Sequence, residues 1–137
     1  MSNKKGFTIV ELLAVIVIIA LLSALLIPAA NNVRKKANLK TYETKVASIE
    51  NSAIIYAQNN YKDLVKGTTE DVVTTEIEVA TLIGDYIVPD GKDTDHMVID
   101  PRDTSKSLDK NKIIITINKK TKKITAEYVE NVGYKNT

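Results

Sequence analysis

At 137 residues the chain has room for one modest domain once its apolar N-terminal stretch is set aside, and no room for two. Its 19 basic and 17 acidic side chains nearly balance, so charge alone implies no nucleic-acid partner. With no cysteine and a single histidine, His96, the chain offers no disulfide staple and no Ser, His and acid cluster for nucleophilic catalysis, so neither an enzyme nor a cofactor is expected.

The chain opens on Lys4-Lys5-Gly6-Phe7-Thr8-Ile9-Val10-Glu11, followed by an apolar stretch that runs to Ala30. Residues 12–30 carry no charge, and at about 1.5 Å rise each they make a rod of roughly 28 Å, close to one bilayer core. A carboxylate such as Glu11 in that setting costs about 2.5 to 3.5 kcal/mol at the bilayer centre, less near an end, and calls for a partner. Cleavage between Gly6 and Phe7 would supply one, because the new α-amino group is largely protonated at neutral pH and sits one helical turn before Glu11. The two charges can meet within one molecule or between staggered neighbours, and in low dielectric the pair offsets part of the burial cost.

These residues resemble the leader and N-terminal helix of type IV pilins and pseudopilins. The resemblance covers about the first 60 residues. It implies cleavage after Gly6 by a prepilin peptidase on the cytoplasmic side, N-methylation of Phe7, and packing of the apolar helices into a helical filament. Lys4 and Lys5 match the basic residues of the leader. Glu11 matches the glutamate that registers each new subunit against the N-terminus of its neighbour, here Phe7, and Pro28 matches a helix-bending proline. The implied partners are other pilin subunits in a homo-polymer, the prepilin peptidase, and an inner-membrane assembly platform with its ATPase. The implied location is a single-pass span in the cytoplasmic membrane before assembly and a surface filament after it.

Other readings of the stretch fit less well. A secretory signal has an apolar run of about 7 to 15 residues, shorter than this one, and no acid at its start. A plain single-pass anchor fits the length but does not account for Glu11 or the Gly6-Phe7 step. Positive charges do not set the orientation, since Arg34, Lys35 and Lys36 follow the span just as Lys4 and Lys5 precede it. The leader resemblance alone puts the N-terminus in the cytoplasm. Many Gram-negative pilins close their C-terminal region with a disulfide, so the lack of cysteine hints at a Gram-positive source.

Beyond the span, Leu39, Tyr42, Val46, Ile49, Ala53 and Tyr56 recur three and four residues apart, which predicts an amphipathic continuation of the helix with Lys40, Lys45 and Glu50 on its polar face. With fewer than three heptads, docking on a small domain is favoured over a coiled-coil seam. Pro28 lacks an amide hydrogen and crowds the preceding turn, which predicts a bend or local loosening. The long helix is expected to end near residue 62, before a loop at Lys66-Gly67-Thr68-Thr69. The domain plan is therefore a leader at 1–6, a membrane and filament-core helix at 7–30, its amphipathic continuation at 31–62 and a small globular head at 63–137.

In the head, Thr75 with Glu78 resembles a capping box opening a short helix on Ile77, Val79, Leu82 and Ile83, with Gly84 as its stop. Pro89-Asp90-Gly91 predicts a turn, and His96-Met97-Val98-Ile99 a first strand. The strongest sheet signal is an antiparallel hairpin of residues 112–118 and 122–129 joined at Lys119-Lys120-Thr121, with Ile113, Ile115 and Ile117 on one face and Ile124, Ala126 and Tyr128 sharing a face of the second strand. The expected fold class is α+β, a long N-terminal helix docked on a small antiparallel sheet. A core this limited leaves room for neighbouring subunits to add stability.

Asp90, Asp93 and Asp95, with Asp100 and Asp103 nearby, are dense enough to suggest calcium, but they do not fit the EF-hand spacing, and solvated turns explain them more simply. Lys110, Lys112, Lys119, Lys120, Lys122 and Lys123 cluster around the hairpin without an aromatic base platform, so solvation and protection of the strand edges are favoured over polyanion binding. Tyr42, Tyr56 and Tyr61 are read as packing residues. The function expected is a structural subunit of a type IV pilus serving adhesion, motility or a related task. The alternatives are a pseudopilin of a type II secretion or competence DNA-uptake system and, from another class, a membrane-anchored binding domain that never polymerises.

Overall fold

The computed structural model describes residues 6–91, 93 and 97–130. Lys4, Lys5, Asp95 and His96 lie outside the described residues. The elements are α1 (Ile9–Asn59), the short α2 (Tyr61–Leu64), β1 (Val72–Glu78), a 3₁₀ turn (Val79–Leu82), β2 (Lys112–Asn118) and β3 (Lys123–Val129). Two compact units share the chain, Met1–Ala37 and Asn38–Thr137.

The first unit is the N-terminal part of α1. Its Leu, Ala and Ile content suits a helix, yet among the described residues its large apolar side chains stay exposed, from 48% at Val15 to 79% at Ile9. By length and composition this helix can cross a membrane. Helical structure continues through Pro28. Proline has no N–H, so the Ala24 carbonyl four residues earlier loses its usual donor. One turn before, the Ser23 hydroxyl donates to the Ile19 carbonyl at 2.7 Å.

In the second unit α1 turns an apolar face to a three-stranded antiparallel sheet of order β1-β2-β3. Ile49, Ala53 and Ala57 are buried one helical turn apart, and the two alanines allow close approach of the helix to its partner. The predicted stripe begins later than expected, at Tyr42, because Leu39 remains exposed. On the sheet, Ile113, Ile115 and Ile117 of β2 are fully buried, each worth about 1.5 to 3 kcal/mol relative to an exposed side chain. They are flanked by Ile77, Thr75 and Val73 of β1 and by Tyr128, Ala126 and Ile124 of β3. The fold is α+β, as the spacing predicts, and the hairpin differs from expectation by one residue. β3 starts at Lys123 because Lys122 takes a left-handed φ of 57° in the turn, where the Thr121 amide donates to Asn118 Oδ1 at 3.0 Å.

Two expectations for the head fail. Residues 72–78 form strand β1, not the start of a helix. Val72, Val73, Thr74, Thr75 and Ile77 are β-branched and their exposure alternates, so the segment suits a half-buried strand paired along its whole length with β2. The capping-box pattern of Thr75 and Glu78 is therefore coincidental. Only the 3₁₀ turn that follows is helical, and it buries Val79 and Leu82. Gly84, at φ 99°, then serves a turn closed by its own amide donating to the Ile87 carbonyl at 2.9 Å.

Nor do Met97, Val98 and Ile99 form a strand. Ile99 makes a single isolated bridge with Ser107, while the Met97 and Val98 amides donate to the buried Asp109 carboxylate at 2.9 and 2.7 Å. A side chain takes the donors a ladder would have used, so the segment stays irregular.

Candidate functional site

The predicted processing and assembly residues meet at the start of α1. Gly6, Phe7 and Thr8 precede the helix, Phe7 is 87% exposed, and a side chain built on Gly6 would meet nothing within 4 Å. The Gly6-Phe7 bond is thus sterically open. Thr8 caps the helix: its Oγ1 accepts the Glu11 amide at 3.3 Å, while Glu11 Oε2 accepts the Thr8 amide at 2.9 Å and the Thr8 hydroxyl at 3.1 Å. This reciprocal arrangement is a capping box, which satisfies helix-end donors and places the carboxylate at the positive end of the helix dipole. The Thr-x-x-Glu spacing of Thr8 and Glu11 is a capping-box signal in the sequence itself, masked there by the charge of Glu11, which points first to an ionic partner. Phe7 and Glu11 lie within this one turn, whereas Pro28 lies in the interior of α1.

In the head, the polar side chains act as struts. Lys45 and Glu50, assigned by spacing to an outward polar face, reach the loops and the sheet. Lys45 pairs with Asp90 and donates to the Ile99 carbonyl at 2.8 Å, and Glu50 Oε1 accepts the Tyr128 amide at 3.0 Å. Arg102 lies 3.5 Å from the centre of the Tyr42 ring, donates through Nη2 to Asp100 at 2.8 Å and through the same atom to Glu130 at 2.5 Å. Tyr42 meets Tyr128 edge-on, and the Tyr128 hydroxyl accepts from Asn111. Burial pushes both tyrosine hydroxyls above their ordinary pKa. Arg102, Asp109 and Asn111 gave no sequence signal, because their partners are set by loop geometry, and Asp100, which stood out only as one acid of a cluster, pairs with Arg102.

The acids of the weak calcium candidate are dispersed. Asp90 is engaged by Lys45 and the Ile99 amide, Asp93 is exposed, and Asp95 lies outside the described residues. No group of three or more metal-binding side chains gathers among the described residues. Two of the lysines near the hairpin are in ion pairs, Lys112 with Glu76 and Lys120 with Asp71, both at 2.5 Å, and Lys119 donates to the Thr68 carbonyl at 2.7 Å. A cleft of about 290 Å³ beside α1 has Lys45 and Asp90 as its charged lining groups among the described residues, and they pair with each other.

Residues 1–27 match a family model described as the prokaryotic N-terminal methylation motif. The chain is 47% identical over 58 residues to the type IV wide pilus major component PilA4 of Thermus thermophilus. That match covers 42% of this chain and 41% of the relative, so the chain spans less than half the length of the curated relative it matches. No solved structure gives a significant match. Over its N-terminal part, then, this chain is similar to a type IV pilin, and the match to the methylation motif spans Gly6, Phe7 and the start of the apolar helix.

Proposed function

We propose that the chain is a structural subunit of a type IV pilus, stored in the membrane through α1, cleaved after Gly6, methylated at Phe7 and polymerised through its apolar helix. The observation that carries this reading is the long exposed apolar surface of α1, which begins directly behind a carboxylate and an accessible Gly6-Phe7 bond. Such a surface needs lipid or copies of itself as solvent. Leader, span, continuation and head take the bounds 1–6, 7–30, 31–62 and 63–137. The head's polar groups support a structural role over a catalytic one, since they are spent on holding loops to the helix and sheet. Glu11 supplies register: after cleavage its carboxylate faces a choice between the Thr8 cap and the new α-amine of Phe7, in its own chain or in a neighbour.

The test is mass spectrometry of the N-terminal peptide in material sheared from intact cells. A peptide beginning at methylated Phe7 in that fraction is the expected result. An uncut protein confined to the membrane fraction would favour the anchored binding domain, and a cut protein that never shears would favour a pseudopilin.

A further inference from the structure

Three cations follow the apolar run on consecutive positions, Arg34, Lys35 and Lys36. All three are exposed, and none forms an ion pair with the described residues. Between Glu11 and Glu43 the sequence has no acid. Lys40, the next cation, is already engaged by Glu43 at 3.4 Å.

Their spacing is informative. Consecutive helical residues are about 100° apart, so the three side chains fan over roughly 200° of the helix circumference and cannot share one face. A protein partner docking from one side would reach only part of that fan, whereas a layer of headgroups surrounds a spanning helix and reaches all of it. The depth also agrees. Arg34 lies four residues past Ala30, about 6 Å along the axis, and the headgroup layer on each side of the hydrocarbon is about 5 to 8 Å thick. The long stems of Arg and Lys can lie against the apolar surface while their charges stay among the headgroups.

We propose that Arg34, Lys35 and Lys36 form a collar that binds anionic phospholipid headgroups around the unassembled subunit. The collar rests on the membrane-span reading of α1. Opposite charge near an anionic surface is worth about a fivefold preference per cation, so three together give a preference on the order of tenfold to a hundredfold after losses to screening. The same collar explains why the positive charges flanking the span fail to favour either end: those behind it hold a headgroup layer, and orientation is left to the leader.

The experiment is native mass spectrometry of the full chain released from mixed micelles of phosphatidylglycerol and phosphatidylcholine. At least tenfold preferential retention of phosphatidylglycerol is expected, falling as salt rises from 50 to 500 mM. The triple variant Arg34→Gln, Lys35→Gln, Lys36→Gln should lose at least fivefold of the preference with its helical circular dichroism unchanged, a larger loss than that of Lys4→Gln, Lys5→Gln. Equal retention of the two lipids by the wild type, or an unchanged preference in the triple variant, overturns the collar while leaving the span intact. Loss of self-association in the triple variant without a change in lipid retention assigns these cations to a second copy of the chain and also overturns it. A chain that stays soluble without micelles overturns both the collar and the span.

Discussion

Glu50 Oε1 accepts the Tyr128 amide at 3.0 Å, so a side chain of α1 pairs with the outer edge of β3 where a fourth strand would otherwise be needed. The amide is partly buried, and leaving it without an acceptor costs about 1 to 3 kcal/mol. Glu50→Ala should lower the thermal midpoint of the full chain in detergent by several degrees, and Glu50→Gln, which keeps an acceptor, by less. Equal midpoints for all three proteins would show that the contact contributes nothing.

Arg102 combines a bidentate grip on Asp100, Nε to Oδ1 at 3.1 Å and Nη2 to Oδ2 at 2.8 Å, with stacking on Tyr42, and a lysine cannot reproduce both. Asp100 is 4% exposed, so removing its partner strands a buried charge. Arg102→Ala should destabilise the head by about 2 to 3 kcal/mol, and Arg102→Lys should recover less than half of that. Urea unfolding followed by tyrosine fluorescence measures both.

Acid should weaken the head. Burial alone would raise the carboxyls of Asp90 and Asp100, but hydrogen bonds from Lys45 and the Ile99 amide to the first, and from Arg102 to the second, hold both below the ordinary range. A carboxylate depressed in the folded state contributes stability that is present above its unfolded pKa, near 3.9, and is lost as pH falls through the folded value. The thermal midpoint should therefore be flat in these two groups from pH 7 to 5 and drop below about pH 4. Asp90→Asn should flatten part of that slope. At the other extreme, the raised hydroxyls of Tyr42 and Tyr128 make stability fall as pH rises beyond about 10.

At the helix start, two substitutions separate capping from register. Thr8→Val removes the cap, worth about 1 kcal/mol, and should fray the first turn while filaments still form. Glu11→Val should leave membrane insertion intact or improved and sharply reduce sheared filaments. Normal filament yield from Glu11→Val, read by electron microscopy, would remove the register role.

Because a side chain at Gly6 meets nothing within 4 Å, Gly6→Leu tests recognition without disturbing the fold. The expected product is a full-length precursor whose thermal midpoint matches wild type. A protein beginning at Phe7 from that variant would show that the peptidase tolerates the side chain.

Much of this arrangement was legible because it repeats. Ile113, Ile115 and Ile117 alternate with period two, and Ile49 and Ala53 recur at helical spacing, so local pattern predicts both the hairpin and the docking face. β1 carried two competing signals, a run of β-branched residues that suits a strand and the Thr75 and Glu78 pair that mimics a helix start, and the ladder with β2 decides between them. The segment between the 3₁₀ turn and β2 was opaque for a different reason. Its order comes from Asp109, Asp100 and Lys45 holding backbone or side-chain groups in other parts of the unit, and Lys45 and Ile99 are 54 residues apart. At the candidate site, Gly6, Phe7 and Glu11 stood out as a motif. The Thr8 cap is equally local but carries no charge to attract notice.

Among the described residues, the core and the side chains packed against it begin at Tyr42. Selection can therefore act on the two ends of the chain almost independently. Among residues 12–27 one apolar side chain can replace another without touching the packing of the sheet, and the surface of the sheet and its loops can drift without changing what the helix presents to its solvent. The helix and the head can thus change at separate rates, as a tool's blade can be exchanged without recutting its handle.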